Sequence, residues 1–177
     1  ALTGSDADNY VLAAAGQQTT TTADITAKTV VVSGITADDK EYDTTTAAVV
    51  DTGSADFDGK LPEDSLTVST TGTFADANAG TGKTVYLGIL TLGGDDAGNY
   101  ALAVAGQQTT ATADINAKPV TVSGITAANK TYDTTNAATV DTSGASFGGI
   151  FGGDTLTVST TGTFANENAG TGKTVTF

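Results

Sequence analysis

One feature constrains this chain more than any other: it repeats itself at a fixed offset of 90 residues. Asn9-Tyr10 returns as Asn99-Tyr100, and Gly16-Gln17-Gln18-Thr19-Thr20 returns as Gly106-Gln107-Gln108-Thr109-Thr110. Ser33 to Ala37 recurs from Ser123, Tyr42-Asp43-Thr44-Thr45 recurs from Tyr132, and Leu66 to Ala75 recurs unchanged from Leu156 to Ala165. Aligning residues 1–87 with 91–177 gives 59 identities in 87 positions with no insertion or deletion. Two copies so alike must share one fold and one job. Spacers, stalks and polyvalent arrays are commonly built from near-identical neighbours, whereas catalytic sites rarely are.

The phase of the repeat sets the domain organisation. Ala-Asp-Ile-x-Ala-Lys segments at 23–28 and 113–118 read as junctions, and Pro119 stands where a strand start tolerates a missing N–H. Residues 1–28 are then the tail of a preceding unit, 29–118 a complete unit, and 119–177 a unit without its C-terminal strands. The chain reads as a window on a longer series. A second architecture has residues 1–28 of one molecule completing residues 119–177 of another, a head-to-tail polymer made by strand addition.

Within a unit, apolar residues alternate at period two. Val30 and Val32 share a face, as do Leu66, Val68, Thr70, Gly72 and Phe74 of what reads as one longer strand. Val85, Leu87 and Ile89 follow, then Tyr100, Leu102 and Val104. Turn signals fall at Asp51-Thr52-Gly53, from Asn78 to Gly82 and from Gly93 to Asn99, and Ala75–Asn78 reads as a single helical turn. The chain is rich in Thr (37 residues) and Gly (22) and poor in strong helix formers, a mixture that favours short strands and tight turns. The predicted fold is all-β, with two elongated, sandwich-like modules placed end to end.

Composition narrows the chemistry. There is no His, Cys, Met or Trp, and all seven basic residues are lysine. Nucleophile–histidine systems, zinc–cysteine sites and iron–sulfur clusters therefore have no residues to build them. A formal charge of −13 disfavours contact with nucleic acid or anionic lipid, and no apolar run reaches the roughly 18 residues that span a bilayer. No signal peptide opens the sequence, so a secretion signal is expected to lie outside it or to have been removed. The expectation is a non-enzyme without a cofactor.

Three motifs carry alternatives. Gly80-Thr81-Gly82-Lys83-Thr84, repeated from Gly170, has the tail of a phosphate-binding loop. Its first glycine is replaced by Ala77 and Glu167, however, and the following residues read as a strand instead of a helix, which makes it a glycine-rich turn. Asp6, Asp8, Asn9, Asp95, Asp96 and Asn99 form acidic turns, which are candidate calcium ligands because calcium takes six to eight oxygens. Asx turns account for the same residues without metal. Asn129-Lys130-Thr131 has the form of a glycosylation sequon that the first copy breaks at Asp39.

The Lys-x-Tyr-Asp-Thr-Thr-x-Ala-Ala segments at 40–48 and 130–138 resemble the YDG repeats of large, secreted, haemagglutinin-like bacterial adhesins. The resemblance extends to Val-x-Gly-Ile-Thr-Ala from Val32, Gly-Thr-Phe-Ala-x-x-Asn-Ala-Gly-Thr-Gly-Lys-x-Val from Gly72, and Asp-Ala-Gly-Asn-Tyr from Asp96, and it covers essentially all 177 residues. The glycine that names the family is replaced by Thr44 and Thr134. The resemblance implies an extracellular stalk or matrix role at the surface of a Gram-negative bacterium, with no catalytic residues to carry over. Expected partners are neighbouring repeats of the same chain or identical subunits in a filament. The alternative is a polyvalent glycan- or calcium-dependent binding module that engages glycans or other cells, against which the scarcity of aromatics and the lack of Trp both weigh.

Overall fold

The computed structural model describes residues 1–177 and is all-β, with two repeat-like modules. Module one holds β1 (Lys28–Ser33), β2 (Thr36–Ala37), β3 (Lys40–Glu41), β4 (Ala47–Ala48), β5 (Val50–Asp51), β6 (Asp56–Asp58), β7 (Thr67–Ser69), β8 (Gly72–Phe74), β9 (Gly80–Leu87), β10 (Thr91–Gly93), β11 (Tyr100–Leu102) and β12 (Thr110–Asn116). Module two holds β13 (Thr121–Ser123), β14 (Thr126–Ala127), β15 (Ala137–Ala138), β16 (Val140–Asp141), β17 (Ser146–Gly148), β18 (Gly162–Phe164) and β19 (Val175–Thr176). Single 3-10 turns stand at Ala7–Asn9 and Ala97–Asn99. No helix is long and apolar enough to cross a membrane.

In module one the late strands close onto the early ones. Strand β1 lies between β11, to which it runs parallel, and antiparallel β6. Strand β12 lies between antiparallel β9 and parallel β3, in a sheet ordered β3-β12-β9-β8-β4. Both parallel pairings join the first and last thirds of the repeat.

The alternating stripe from Leu66 to Phe74 does not form one strand. It breaks at Thr70-Thr71 into β7, which pairs with β10, and β8, which joins the larger sheet. The break lets one stripe feed two cores. Val68 packs with Val32, Ile35 and Leu90, while Phe74 packs with Val85, Ala113 and Ile115. Val50 touches both clusters. Gly72 sits at the crossing, where a Cβ would stand 2.6 Å from Val50 Cγ1 and 3.1 Å from Val85 Cγ1, so alternation alone misses why a glycine is needed there.

Other local readings change for similar reasons. Residues Gly80–Gly82 are not a turn in module one but the start of β9, with an irregularity opposite Ala113–Ile115. Gly82 takes a φ of +58 there, and its N–H donates to Asp114 Oδ1 at 2.7 Å. Ala75–Asn78 is a pair of bends closed by the Asn78 N–H donating to Asp76 Oδ1, and it contains no helical turn. Ile89 and Val104 lie beyond their strands and are exposed.

Module two repeats the early pairings: β13 with β17, β14 with β16, β15 with β18, and β18 with β19. Thr157–Ser159 and Gly170–Thr174 are not strands, although their sequences match β7 and half of β9. Their pairing partners in module one are β10 and β12, and residues 119–177 contain no counterpart of either. Identical sequence therefore takes strand geometry only where a partner is beside it, as expected when pairing outweighs intrinsic propensity.

Candidate functional site

The two modules together show what the segment from Tyr100 to Asn116 does. Gln107 and Gln108 act as side-chain rungs where backbone pairing stops. Gln107 Oε1 accepts the Val32 N–H at 2.8 Å, and its Nε2 donates to Val30 O at 3.0 Å and to Ala103 O at 3.2 Å. Gln108 Oε1 accepts the Ile35 N–H at 2.9 Å, and its Nε2 donates to Ile35 O at 2.6 Å and to Thr110 O at 3.0 Å. An amide side chain offers both a donor and an acceptor, so each glutamine mimics the missing peptide of a neighbouring strand. Sequence reading quoted this Gly-Gln-Gln-Thr-Thr pair as a repeat and gave it no role. Its signal is that two adjacent amides are kept in both copies within a Thr-rich stretch.

Tyr100 anchors the start of the same segment. Its side chain is buried, and its hydroxyl donates to Asp64 Oδ2 at 2.5 Å while accepting the Leu61 N–H at 3.0 Å. The Asp64 carboxylate, together with burial, raises the Tyr100 pKa above that of an ordinary phenol. Ala113 and Ile115, farther along, plug the second core.

In module two, the surface that this segment covers in module one is open. Val30 and Val32 are 1% and 0% exposed, whereas their counterparts Val120 and Val122 are 40% and 41% exposed. Beside them lies a cleft of about 530 Å³ lined by Val120, Gly149, Phe151, Asp154 and Leu156, with Tyr42 and Lys118 on the opposite wall. Offset by 90, Phe151 and Asp154 are Leu61 and Asp64, so the cleft stands where module one seats Tyr100.

Module one supplies the other wall through direct contacts. The Tyr42 hydroxyl donates to Asp154 Oδ2 at 3.1 Å, and its ring meets Phe151 edge-on at 5.9 Å between centroids. Asp154 raises the Tyr42 pKa chiefly through that hydrogen bond. Lys118 Nζ pairs with Glu41 Oε1 at 2.6 Å and stands 5.3 Å from the centre of the Phe151 ring. Four residues, 117–120, separate β12 from β13.

Residues 1–27 contain no strand, and all of them are exposed except half-buried Ala7. Asp6, Asp8 and Asn9 lie on the first 3-10 turn, and Asp95, Asp96 and Asn99 at the second. The structure gives these carboxylates local work: Asp6 Oδ2 accepts from Ser5 Oγ, and Asp96 Oδ2 accepts the Ser65 N–H at 2.8 Å. It gathers no group of three or more Asp or Glu residues that would hold a metal ion.

The Tyr-Asp-Thr-Thr signature is a turn clamped by lysine. Asp43 Oδ1 accepts from Lys40 Nζ at 2.7 Å and from the N–H and hydroxyl of Thr45, both at 2.9 Å. Lys40 also donates to Thr45 O at 2.8 Å and Ala47 O at 3.1 Å, and lies 5.6 Å from the centre of the Phe74 ring. The Lys40 hydrogen bond, followed by those from Thr45, lowers the Asp43 pKa to about 2, and Lys130 and Thr135 do the same for Asp133. Thr44 and Thr134 sit in this turn at φ values of 68 and 64. The turn thus keeps the left-handed geometry of a glycine after the glycine has gone. For an L-residue that conformation costs roughly 1–2 kcal/mol, while glycine returns part of the gain through unfolded-state entropy. Thr44→Gly is therefore expected to stabilise module one by about 0.5–1 kcal/mol. Thermal unfolding followed by circular dichroism checks this, and a lowered midpoint would contradict it.

Comparison with protein families matches the YDG domain twice, over residues 26–111 and 116–177. No curated protein and no solved structure matches the chain.

Proposed function

The chain belongs to the YDG domain family, and from that premise we propose that it is a structural repeat of a secreted bacterial surface adhesin or extracellular filament. In this reading the repeats hold an adhesive tip away from a Gram-negative cell or knit cells into a matrix, and the work is mechanical. The observation that carries the proposal is the junction: two nearly identical modules abut through Tyr42–Asp154, Tyr42–Phe151 and Lys118–Phe151, with only residues 117–120 between strands. A flexible glycine–serine linker would let neighbours collapse onto each other, whereas direct packing holds them at a fixed angle. The acidic surface adds mutual repulsion among copies along such a stalk.

Immunogold electron microscopy of the native source material, with antibody raised against residues 1–177, tests this. Label is expected along threads that project from the cell surface or lie between cells. Label confined to the cell interior would sink the proposal.

A further inference from the structure

We propose that the outer face of the five-stranded sheet in module one is a binding platform for a neutral, extended polysaccharide, with Tyr86 at its centre. This does not rest on the stalk reading, since a spacer that binds no sugar is still a spacer.

The platform follows from strand alternation. Phe74, Val85 and Ala113 point inward to the second core, so their neighbours along β8, β9 and β12 point outward. The register sets Ala47, Thr73, Tyr86 and Thr110 side by side in one row across β4, β8, β9 and β12, and all four are exposed. Thr84 and Thr112 pair in the next outward row across β9 and β12. Neither row holds a charged residue, in a chain of formal charge −13. Asp114, two residues farther along β12, is tied to the Gly82 N–H.

Tyr86 is the unusual member. Of the five aromatic residues between 28 and 118, Phe74 and Tyr100 are buried, Tyr42 and Phe57 are half-buried, and Tyr86 is 55% exposed. Aromatic rings are scarce in this sequence, so one left in solvent between threonine hydroxyls stands out. Module two carries Thr176 at the same position, in a strand that pairs with β18 as β9 pairs with β8. The fold therefore does not need the ring.

Chemistry and size decide what lies on this face. Without charge it has nothing to pair with an ionic partner, and the acidic remainder of the chain repels anionic polymers. Four strands about 4.8 Å apart make a row about 14 Å wide, and with the flanking residues the platform covers on the order of 200 Å². A stable protein interface takes about 800 Å² on each side, so the face is too small to hold a second copy by itself. A sugar fits it. The C–H face of a pyranose lies against the phenol ring, and its hydroxyls meet threonine hydroxyls that both donate and accept. The neighbours of Tyr86 in the row are short, so the ring is not walled in and a polymer can lie across it.

Depletion of the 177-residue chain from solution by suspended cellulose and by chitin, two neutral extended polysaccharides, tests the proposal. Binding to at least one of them is expected, and it persists in about 1 M salt, where the Debye length is about 3 Å. Tyr86→Thr introduces the residue that the second copy carries, so module one melts within a few degrees of the wild type while binding falls about tenfold. Thr110→Glu keeps the ring, places a charge beside it and weakens binding as well. Val104→Ala removes a fully exposed apolar side chain outside the two rows and leaves binding unchanged. No depletion by either polysaccharide overturns the proposal, as does a Tyr86→Thr or Thr110→Glu variant that binds like the wild type. An equal loss in Val104→Ala marks general adhesion and overturns it too. Sedimentation velocity reads the other occupant: a dimer that Tyr86→Thr abolishes assigns the face to a second copy, against the polysaccharide.

Discussion

Replacing Gln107 and Gln108 together by alanine is expected to cost module one about 3–5 kcal/mol, a large share of the stability of a thin-cored unit. The two amides satisfy the N–H groups of Val32 and Ile35 and the carbonyl of Ile35, and both Val32 and Ile35 are buried. A buried donor or acceptor left unpaired costs about 1–3 kcal/mol, and alanine leaves several unpaired at once without giving water an easy route in. A domain of this size has roughly 0.05–0.15 kcal/mol per residue in hand, or about 4–13 kcal/mol for a 90-residue unit, so the double variant should lose a large share of its stability. Urea denaturation followed by far-ultraviolet circular dichroism measures the loss. The same change at exposed Gln17 and Gln18 should alter stability by no more than about 0.5 kcal/mol, the usual range for surface substitutions. A loss under 1 kcal/mol at 107 and 108 would mean that the glutamines decorate the edge without closing it.

Why sequence reading found the fold class but not this lock follows from the kinds of signal involved. A 90-residue offset, Thr-rich alternation and turn residues are local or periodic features, and they pointed directly to an all-β tandem array. The lock is neither. Gln107 reaches Val30 and Val32 across 77 and 75 positions of chain, and no local pattern announces a side chain that will stand in for a peptide bond. The same limit explains the stripe from Leu66 to Phe74. Alternation places Val68 and Phe74 on one face, yet the chain turns at Thr70-Thr71 and sends them to different cores. It explains Gly80–Gly82 as well, which reads as a turn, is part of β9 in module one, and in its second copy from Gly170 forms bends. Thr44 is a gentler case. A β-branched residue in a family's glycine position suggests a changed turn, but three hydrogen bonds from Lys40 and Thr45 to Asp43 hold the original geometry against the side chain's preference.

The two copies also provide an internal control for what the closing strand contributes. Phe74 and Phe164 lie in identical ten-residue segments, Leu66 to Ala75 and Leu156 to Ala165, and each has a lysine ammonium 5.6 or 5.8 Å from its ring centre. The difference is β12. Ala113 and Ile115 cover Phe74, which is 2% exposed, whereas Phe164 is half-buried with no such cover. Phe74→Ala should therefore cost module one about 3–5 kcal/mol, the sum of lost transfer energy and a cavity that Val85 and Ile115 cannot close. Phe164→Ala removes the same atoms from a site already open to water and should cost about 1 kcal/mol, since less area returns to solvent and no sealed cavity forms. Calorimetry of the two variants in dilute solution, where each module contributes its own transition, reads both numbers. Equal losses would mean that the second core is closed without a strand in the place of β12, contrary to the exposure of Val120 and Val122.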